Sequence, residues 1–329
     1  MQAVIATRHG GPEVLTTVDT HPEPRPGPGR VLVDVAASGV NFIDVSQRRG
    51  VFAVPTPFVP GVEGAGTVAE LGPEVSGVAV GDRVAWAMDG SVTTAYGAYA
   101  QRAVVRADRL VPIPDAVDFE AAAAVLMQGM TAHYLTHDTH PVRAGETVVV
   151  HSAAGGLGGL LTQYAVARGA RVIGTVSDPD KHARARAAGA ELVLDYPGFA
   201  DRVREATDGR GADVVYDGVG AATFDDGLAS LRPRGTMVLL GGTSGPVRGF
   251  DTGRLLAGGS LRLTRPGIAD YTRDRAELLA RARDVFDRVG ADTLRVHVGG
   301  RYPLAEARRA HQDLEGRRTT GKLLLVPRV

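Results

Sequence analysis

The residues with the plainest chemical meaning form one turn. Val148-Val149-Val150-His151-Ser152 runs straight into Ala153-Ala154-Gly155-Gly156-Leu157-Gly158. This is the G-x-G-x-x-G spacing with alanine in the first glycine place. In such a turn the second glycine lets backbone approach a pyrophosphate, and the third lets the helix pack closely on the strand. The helix start then offers free N–H groups and a positive dipole end to the anion. Leu157, Leu160, Leu161 and Tyr164 follow at helical spacing, so the order is strand, turn, helix. The chemistry is dinucleotide binding, with Gly155, Gly156 and Leu157 at the pyrophosphate; a merely structural glycine turn is the competing reading.

An NAD site places an acid about 20 residues further on, at the tip of the second strand. Here that tip reads Val176-Ser177, and Asp178 comes only after it. Ser177 can donate to a 2′-phosphate and Lys181 can reach the same place. Only two of the 37 basic residues are lysines, Lys181 and Lys322, so each is worth locating. The pattern predicts NADPH rather than NADH, with Asp178 and Asp180 as the counter-indication.

The chain has no cysteine, which excludes disulfides, thiolate zinc sites, iron–sulfur clusters and a cysteine nucleophile. His133, His137 and His140 lie at i, i+4 and i+7 on a helical stretch, a spacing that can hold a metal. No carboxylate joins them at fixed spacing, and the expectation is a metal-free site.

The elements that must position these residues follow from length and pattern. A chain of 329 residues suggests two domains. Acidic and basic residues balance at 37 each, which argues against a nucleic-acid partner. The first residues show no basic stretch followed by a long apolar one, and no apolar run reaches the ~18 residues of a membrane span, so a soluble cytoplasmic protein is expected. The pattern changes near residue 123. Before it, strands are expected at Ala3–Thr7, Arg30–Ala37, Gly66–Leu71, Arg83–Ala87 and Tyr99–Val105, separated by turn formers such as Gly72-Pro73 and Gly81-Asp82. That is a β-barrel-like unit with few helices. After it, apolar runs at Thr147–His151, Arg171–Val176, Leu192–Asp195, Asp213–Asp217, Thr236–Leu240 and Ser260–Thr264 alternate with helical stretches. Six such strands read as a doubly wound parallel sheet. The tail carries helical segments at Arg273–Arg288 and Leu304–Glu315 and a last strand, Lys322–Val326.

Motifs along the whole chain resemble the zinc-free medium-chain dehydrogenase/reductases, in their NADPH:quinone oxidoreductase (zeta-crystallin-like) branch. They are Gly39-Val40-Asn41-Phe42-Ile43-Asp44, Pro60-Gly61-Val62-Glu63-Gly64-Ala65-Gly66, Gly81-Asp82-Arg83-Val84, Gly97-Ala98-Tyr99, and Gln128-Gly129-Met130-Thr131-Ala132. The Ala153–Gly158 turn, Val215-Tyr216-Asp217-Gly218-Val219-Gly220, Arg234-Gly235 and Thr264-Arg265-Pro266 complete the set. The resemblance implies an α/β chain: a GroES-like β-barrel catalytic domain at 1–122, a Rossmann domain with a six-stranded parallel sheet at 123–267, and a segment at 268–329 that returns to the first.

Zinc-dependent relatives carry cysteine where Asn41 stands and histidine where Val62 stands. The resemblance places Asn41 and Asp44 as catalytic residues lining the cleft beside the nicotinamide. It gives the cofactor Thr131, at the start of a helix, and Tyr196 near the adenosine phosphate. Val219, Leu240, Gly241 and Gly242 follow strands four and five, Thr264 and Arg265 hold the nicotinamide end, and Arg317 completes the set. Two positions depart from the family: Phe52 stands where enoyl reductases have a proton-donating tyrosine, and Ser46 replaces a larger aromatic. The implied activity is NADPH-dependent hydride transfer to a quinone or conjugated carbonyl. The alternatives are an enoyl or alkenal reductase and a non-catalytic NADPH-binding protein. The last strand of the parallel sheet has a free edge that suits pairing with its copy, so a homodimer is expected.

Overall fold

A computed structural model describes residues 1–88 and 91–327. The chain divides into two units, Met1–Met130 with Ala269–Val329, and Thr131–Ile268.

The first unit opens with a hairpin of β1 (Ala3–Ala6) and β2 (Leu15–Val18). The long strand β3 (Arg30–Val40) buries Val31, Val33, Val35 and Ala37 at the strand period of two, so one face of its sheet builds a core. Helix α1 (Phe42–Arg48) follows after a single residue, Asn41. Next come β4 (Gly64–Leu71), β5 (Arg83–Trp86), β6 (Arg102–Arg106), β7 (Val111–Pro112) and helix α2 (Phe119–Tyr134).

Helix α2 starts earlier than the sequence pattern suggests, because the Asp118 carboxylate accepts the Ala121 N–H at 2.7 Å and caps it. The pattern change near residue 123 therefore lies inside a helix. Thr131 falls in the last turn of that helix, not at its start.

The second unit contains β8 (Thr147–His151), α3 (Gly156–Ala167), β9 (Arg171–Val176), α4 (His182–Ala187), β10 (Leu192–Asp195), α5 (Phe199–Glu205), β11 (Ala212–Asp217), α6 (Phe224–Ser230), β12 (Leu231–Leu239), α7 (Gly253–Ala257) and β13 (Arg262–Thr264). The six strands pair in parallel in the order β10-β9-β8-β11-β12-β13. This is the dinucleotide-binding order, and the direction of winding reverses between β8 and β11. Val148, Val149, Val150, Val214 and Val215 are fully buried, as strands covered on both faces must be. Strand β13 is shorter than expected. Ser260 sits in the left-handed region at φ 57°, and Leu261 donates its N–H to Leu255 O, so neither joins the ladder.

The tail adds α8 (Arg275–Gly290), β14 (Val298–Pro303), α9 (Ala307–Glu315) and β15 (Lys322–Val326). Strand β15 pairs antiparallel with β3 and brings the tail into the first unit's sheet, ordered β14-β15-β3-β4-β5-β7, with β6 also on β3.

Candidate active site

In the second unit, the turn after β8 begins with Ser152 in the left-handed region at φ 54°. Its hydroxyl lies 2.9 Å from the Tyr196 hydroxyl, which ties the turn to the residue that follows β10. Gly155 is the N-cap of α3, and no side chain caps the helix, so its first N–H groups face outward. A Cβ on Gly158 would lie 2.8 Å from the Ser152 carbonyl carbon and closer still to its oxygen. Glycine there is a packing requirement. The alanine at the first position also has a physical reason. A Cβ on Gly174 of β9 would come 2.7 Å from the Ala153 methyl, so the missing side chain has moved to the neighbouring strand.

At the tip of β9, Lys181 Nζ donates to Ser177 Oγ at 3.2 Å; Ser177 is exposed and Lys181 half-buried. Of the two acids that count against NADPH, Asp178 accepts the Asp180 N–H at 2.9 Å and caps the short 3₁₀ turn Pro179–Lys181, while Asp180 is exposed. Asp195 at the end of β10 is paired with His182 at 3.0 Å.

Beyond β11, the Asp217 carboxylate accepts N–H groups from Val219 (2.7 Å) and Gly220 (2.9 Å) and the Thr223 hydroxyl (2.9 Å). Leu240 donates its N–H to Asp217 O at 2.6 Å. A Cβ on Gly241 would lie 3.0 Å from Gly218 O, so the loops after β11 and β12 meet glycine to glycine, with Gly242 next in line. Thr264 ends β13 beside Val238, and Arg265 follows it, exposed. The strands are parallel, so Ser177, Tyr196, Val219, Leu240, Gly241, Gly242 and Thr264 all follow carboxyl ends on the same edge of the sheet as the Gly155–Gly158 turn.

His151, on the central strand, bonds Thr175 Oγ1 through Nδ1 at 2.7 Å, and its Nε2 is buried with no partner. Burial pushes its pKa down to about 4, with Asp217 opposing. A depressed histidine stabilises the fold fully above its unfolded value near 6.5, and that stability is lost as pH falls toward 4. Wild type is expected to lose more melting temperature between pH 7 and pH 4.5 than His151→Gln. Thermal melts across that window check the difference.

His133 and His137 stack with ring centroids 4.1 Å apart, and His140 closes the π-turn Leu135–Thr139 and pairs with Glu146 at 3.1 Å. The turn widens at Thr136, whose hydroxyl donates to Ala132 O. Among the described residues no group of three or more His, Cys, Asp or Glu is arranged to hold a metal.

In the first unit, Asn41 caps α1 between β3 and the helix. Its Nδ2 donates to Glu63 Oε1 at 2.7 Å, and its Oδ1 accepts from Lys322 Nζ at 2.7 Å. Lys322 also pairs with Glu63, whose second oxygen accepts the Met127 N–H at 3.2 Å. Both members of that pair are buried.

Asp44 has no exposed surface. Its carboxylate accepts N–H groups from Asn41 (2.8 Å) and Val62 (3.0 Å) and the Tyr99 hydroxyl (3.1 Å). Burial pushes its pKa up to about 7 against those donors. The Asp44 carboxylate thus ties the start of α1 to Val62 and Tyr99, with its bonded oxygens turned into the protein.

The chain of bonds continues outward. Tyr99 Oη lies 3.2 Å from His311 Nε2, and Arg48 Nη1 lies 3.3 Å from His311 Nδ1. Arginine can only donate, so Nδ1 accepts and Nε2 carries the proton. Burial, helped by Arg48, holds His311 down to about 3. Arg48 then forks onto Glu315 at 3.0 and 2.9 Å. Ser46 turns its hydroxyl back to Phe42 O. Arg317 follows α9 in the left-handed region at φ 54° and is exposed.

Sequence reading missed Glu63, Lys322, Tyr99 and His311 as site residues. The rarity of lysine was the one available signal for Lys322.

A parallel sheet in dinucleotide-binding order, in a chain that also carries a β unit with Asn41 at a strand-to-helix turn, defines a dehydrogenase or reductase. Residues 27–115 match the family model described as alcohol dehydrogenase GroES-like domain, and residues 156–284 match the one described as zinc-binding dehydrogenase. A quinone oxidoreductase of Pseudomonas aeruginosa is 44% identical over 97% of both chains. A 2-haloacrylate reductase of a Burkholderia species is 37% identical over 99% of both. A mycobacterial protein solved in complex with NADPH superposes with a TM-score of 0.94 at 48% identity, covering 99% of this chain and 100% of that one. The chain belongs to the quinone oxidoreductase family of medium-chain dehydrogenase/reductases.

Proposed function

We propose that the chain is an NADPH-dependent reductase that passes a hydride to a quinone or similar conjugated carbonyl and needs no metal. The observation that carries the reading is the uncapped start of α3, over a turn that admits no side chain at Gly158, on the same sheet edge as the Ser177–Lys181 pair. Those residues fit a dinucleotide bearing a 2′-phosphate: N–H groups for the pyrophosphate, a hydroxyl and an ammonium for the extra phosphate. Tyr196, Val219, Leu240, Gly241, Gly242, Thr264 and Arg265 line the rest of its course, with Thr131 and Arg317 as further contacts. The second unit is then the cofactor domain, and the first unit with its tail is the catalytic one.

When bound, NADPH supplies the hydride from its nicotinamide ring. The protein's part is to hold, orient and exclude water. Asn41 presents a fixed carboxamide to the acceptor, and Asp44 fixes the loop that carries it. Phe52 has no hydroxyl, and Asp44 is buried, so neither hands over a proton. A quinone takes its proton from solvent after the hydride, which favours quinones over substrates that need a protein acid. The haloacrylate-reducing relative motivates the second reading, reduction of conjugated acids or enals. NADPH oxidation measured with quinones, haloacrylates and enals, in the presence of a chelator, tests both. Turnover confined to haloacrylates and enals selects the second reading, and loss of activity to the chelator with recovery on added zinc overturns the metal-free one.

Lys181→Ala is expected to weaken NADPH by ~1–3 kcal/mol and leave NADH nearly unchanged. Fluorescence titration with both cofactors checks this, and equal losses would assign Lys181 no part in choosing between them.

A cytoplasmic homodimer is proposed as well. No helix among the described residues is long and apolar enough to cross a membrane. Strand β13 is an edge of the sheet, and Leu256 on the neighbouring helix α7 is 76% exposed. Leu261 lies in the unit's own core, so it is no part of that surface. Light scattering is expected to give twice the 34.3 kDa chain mass.

A further inference from the structure

The space above Gly39 is filled by two charged side chains. A Cβ there would lie 2.6 Å from Lys322 Cε and 2.7 Å from Glu63 Cδ. The backbone of β3 has given up a side chain to admit an ion pair that is almost wholly out of water, with Lys322 2% exposed and Glu63 not exposed at all. Such a pair does little for stability, since desolvation offsets its attraction. Its geometry has a direction, however. The ammonium binds the oxygen end of the Asn41 carboxamide, and the carboxylate binds one proton at the nitrogen end. The amide cannot flip without facing ammonium with N–H and carboxylate with oxygen. Among the described residues the second Nδ2 proton has Gly39 O alone, at a long 3.4 Å.

We propose that Lys322, paired with Glu63, is a positioning residue for the reduction, holding and polarising the Asn41 carboxamide so that its weakly engaged N–H meets the acceptor's oxygen. A cation on an amide oxygen draws charge from nitrogen and strengthens its remaining N–H as a donor; the Glu63 carboxylate on the other N–H offsets part of this and chiefly fixes where the remaining N–H points. As the hydride reaches a quinone, negative charge builds on the carbonyl oxygen, and a fixed donor in a dry site stabilises it. No bond to Asn41 forms or breaks, and the proton that completes the hydroquinone comes from solvent. In zinc relatives a metal would meet that charge; here a buried ammonium acts through one amide. The inference rests on the reading that Asn41 faces the acceptor.

Lys322→Met alone leaves Glu63 buried and unpaired, so the variant to read is Lys322→Met with Glu63→Gln, which removes both charges. Single-turnover hydride transfer from NADPH to a benzoquinone is measured for wild type, this pair, Asn41→Ala, and the three changes together. The expected result is a fall of about tenfold or more for the pair. NADPH affinity and quinone KM should stay within about twofold, and adding Asn41→Ala should slow the triple variant little further. A folded pair variant with a wild-type rate, while Asn41→Ala is slow, overturns the role of Lys322 and leaves the Asn41 reading standing. Losses that simply add overturn it too, as they mark a structural effect. A wild-type rate for Asn41→Ala overturns the underlying reading itself.

Discussion

Gly158→Ala is expected to abolish measurable NADPH binding and to cost ~2–3 kcal/mol of stability. The added methyl meets Ser152 backbone, which is the turn itself and cannot rotate away as a side chain would. To make room, either α3 moves off β8 or the turn opens, and both misplace the N–H groups that receive the pyrophosphate. Fluorescence titration and a thermal melt read the two effects separately. Gly155→Ala is the control. Its Cβ would stand 3.1 Å from the same oxygen, so a smaller loss of stability is expected even where the added methyl crowds the pyrophosphate.

Glu315→Ala is expected to destabilise the first unit by roughly 3 kcal/mol, far more than loss of a surface ion pair. Arg48 has no exposed surface, and among the described residues Glu315 is its one ion-pair partner. Truncation leaves a buried guanidinium facing a neutral imidazole, which burial keeps from carrying charge. The disturbance then reaches Tyr99, Asp44 and the N-cap at Asn41, so turnover should fall along with melting temperature. Glu315→Gln keeps a hydrogen-bond acceptor and should lose less. Denaturant melts of both variants give the ordering, and equal losses would show that charge is not what Arg48 needs.

The second unit was legible because its signals are local. Val148, Val149 and Val150 run straight into the glycine turn, and continuous apolar runs need no partner to be recognised as strands buried on both faces. The missing acid at the tip of β9 was readable for the same reason, although only the structure shows Asp178 turned into a cap. The first unit's site was legible only in part. Asn41 and Asp44 stand out by motif, but what holds them comes from far along the chain. Lys322 lies 281 positions from Asn41, and His311 lies 212 from Tyr99. No periodicity or spacing encodes such contacts. Helix α1 was hidden by its shortness and its β-branched Ile43 and Val45, and α2 by a cap at Asp118 that precedes an unmarked alanine run. Leu261 read as part of an alternating edge strand because strand period and a buried loop residue look alike over three positions.

The most direct test of the central claim is a single anaerobic turnover with NADPH carrying deuterium at the transferred position of its nicotinamide, with a quinone as acceptor and a chelator present. Stoichiometric oxidation of NADPH, a primary isotope effect on its rate, and slower or weaker reaction when NADH replaces it are expected. Absence of quinone-dependent oxidation, or equal performance of NADH, would contradict the claim.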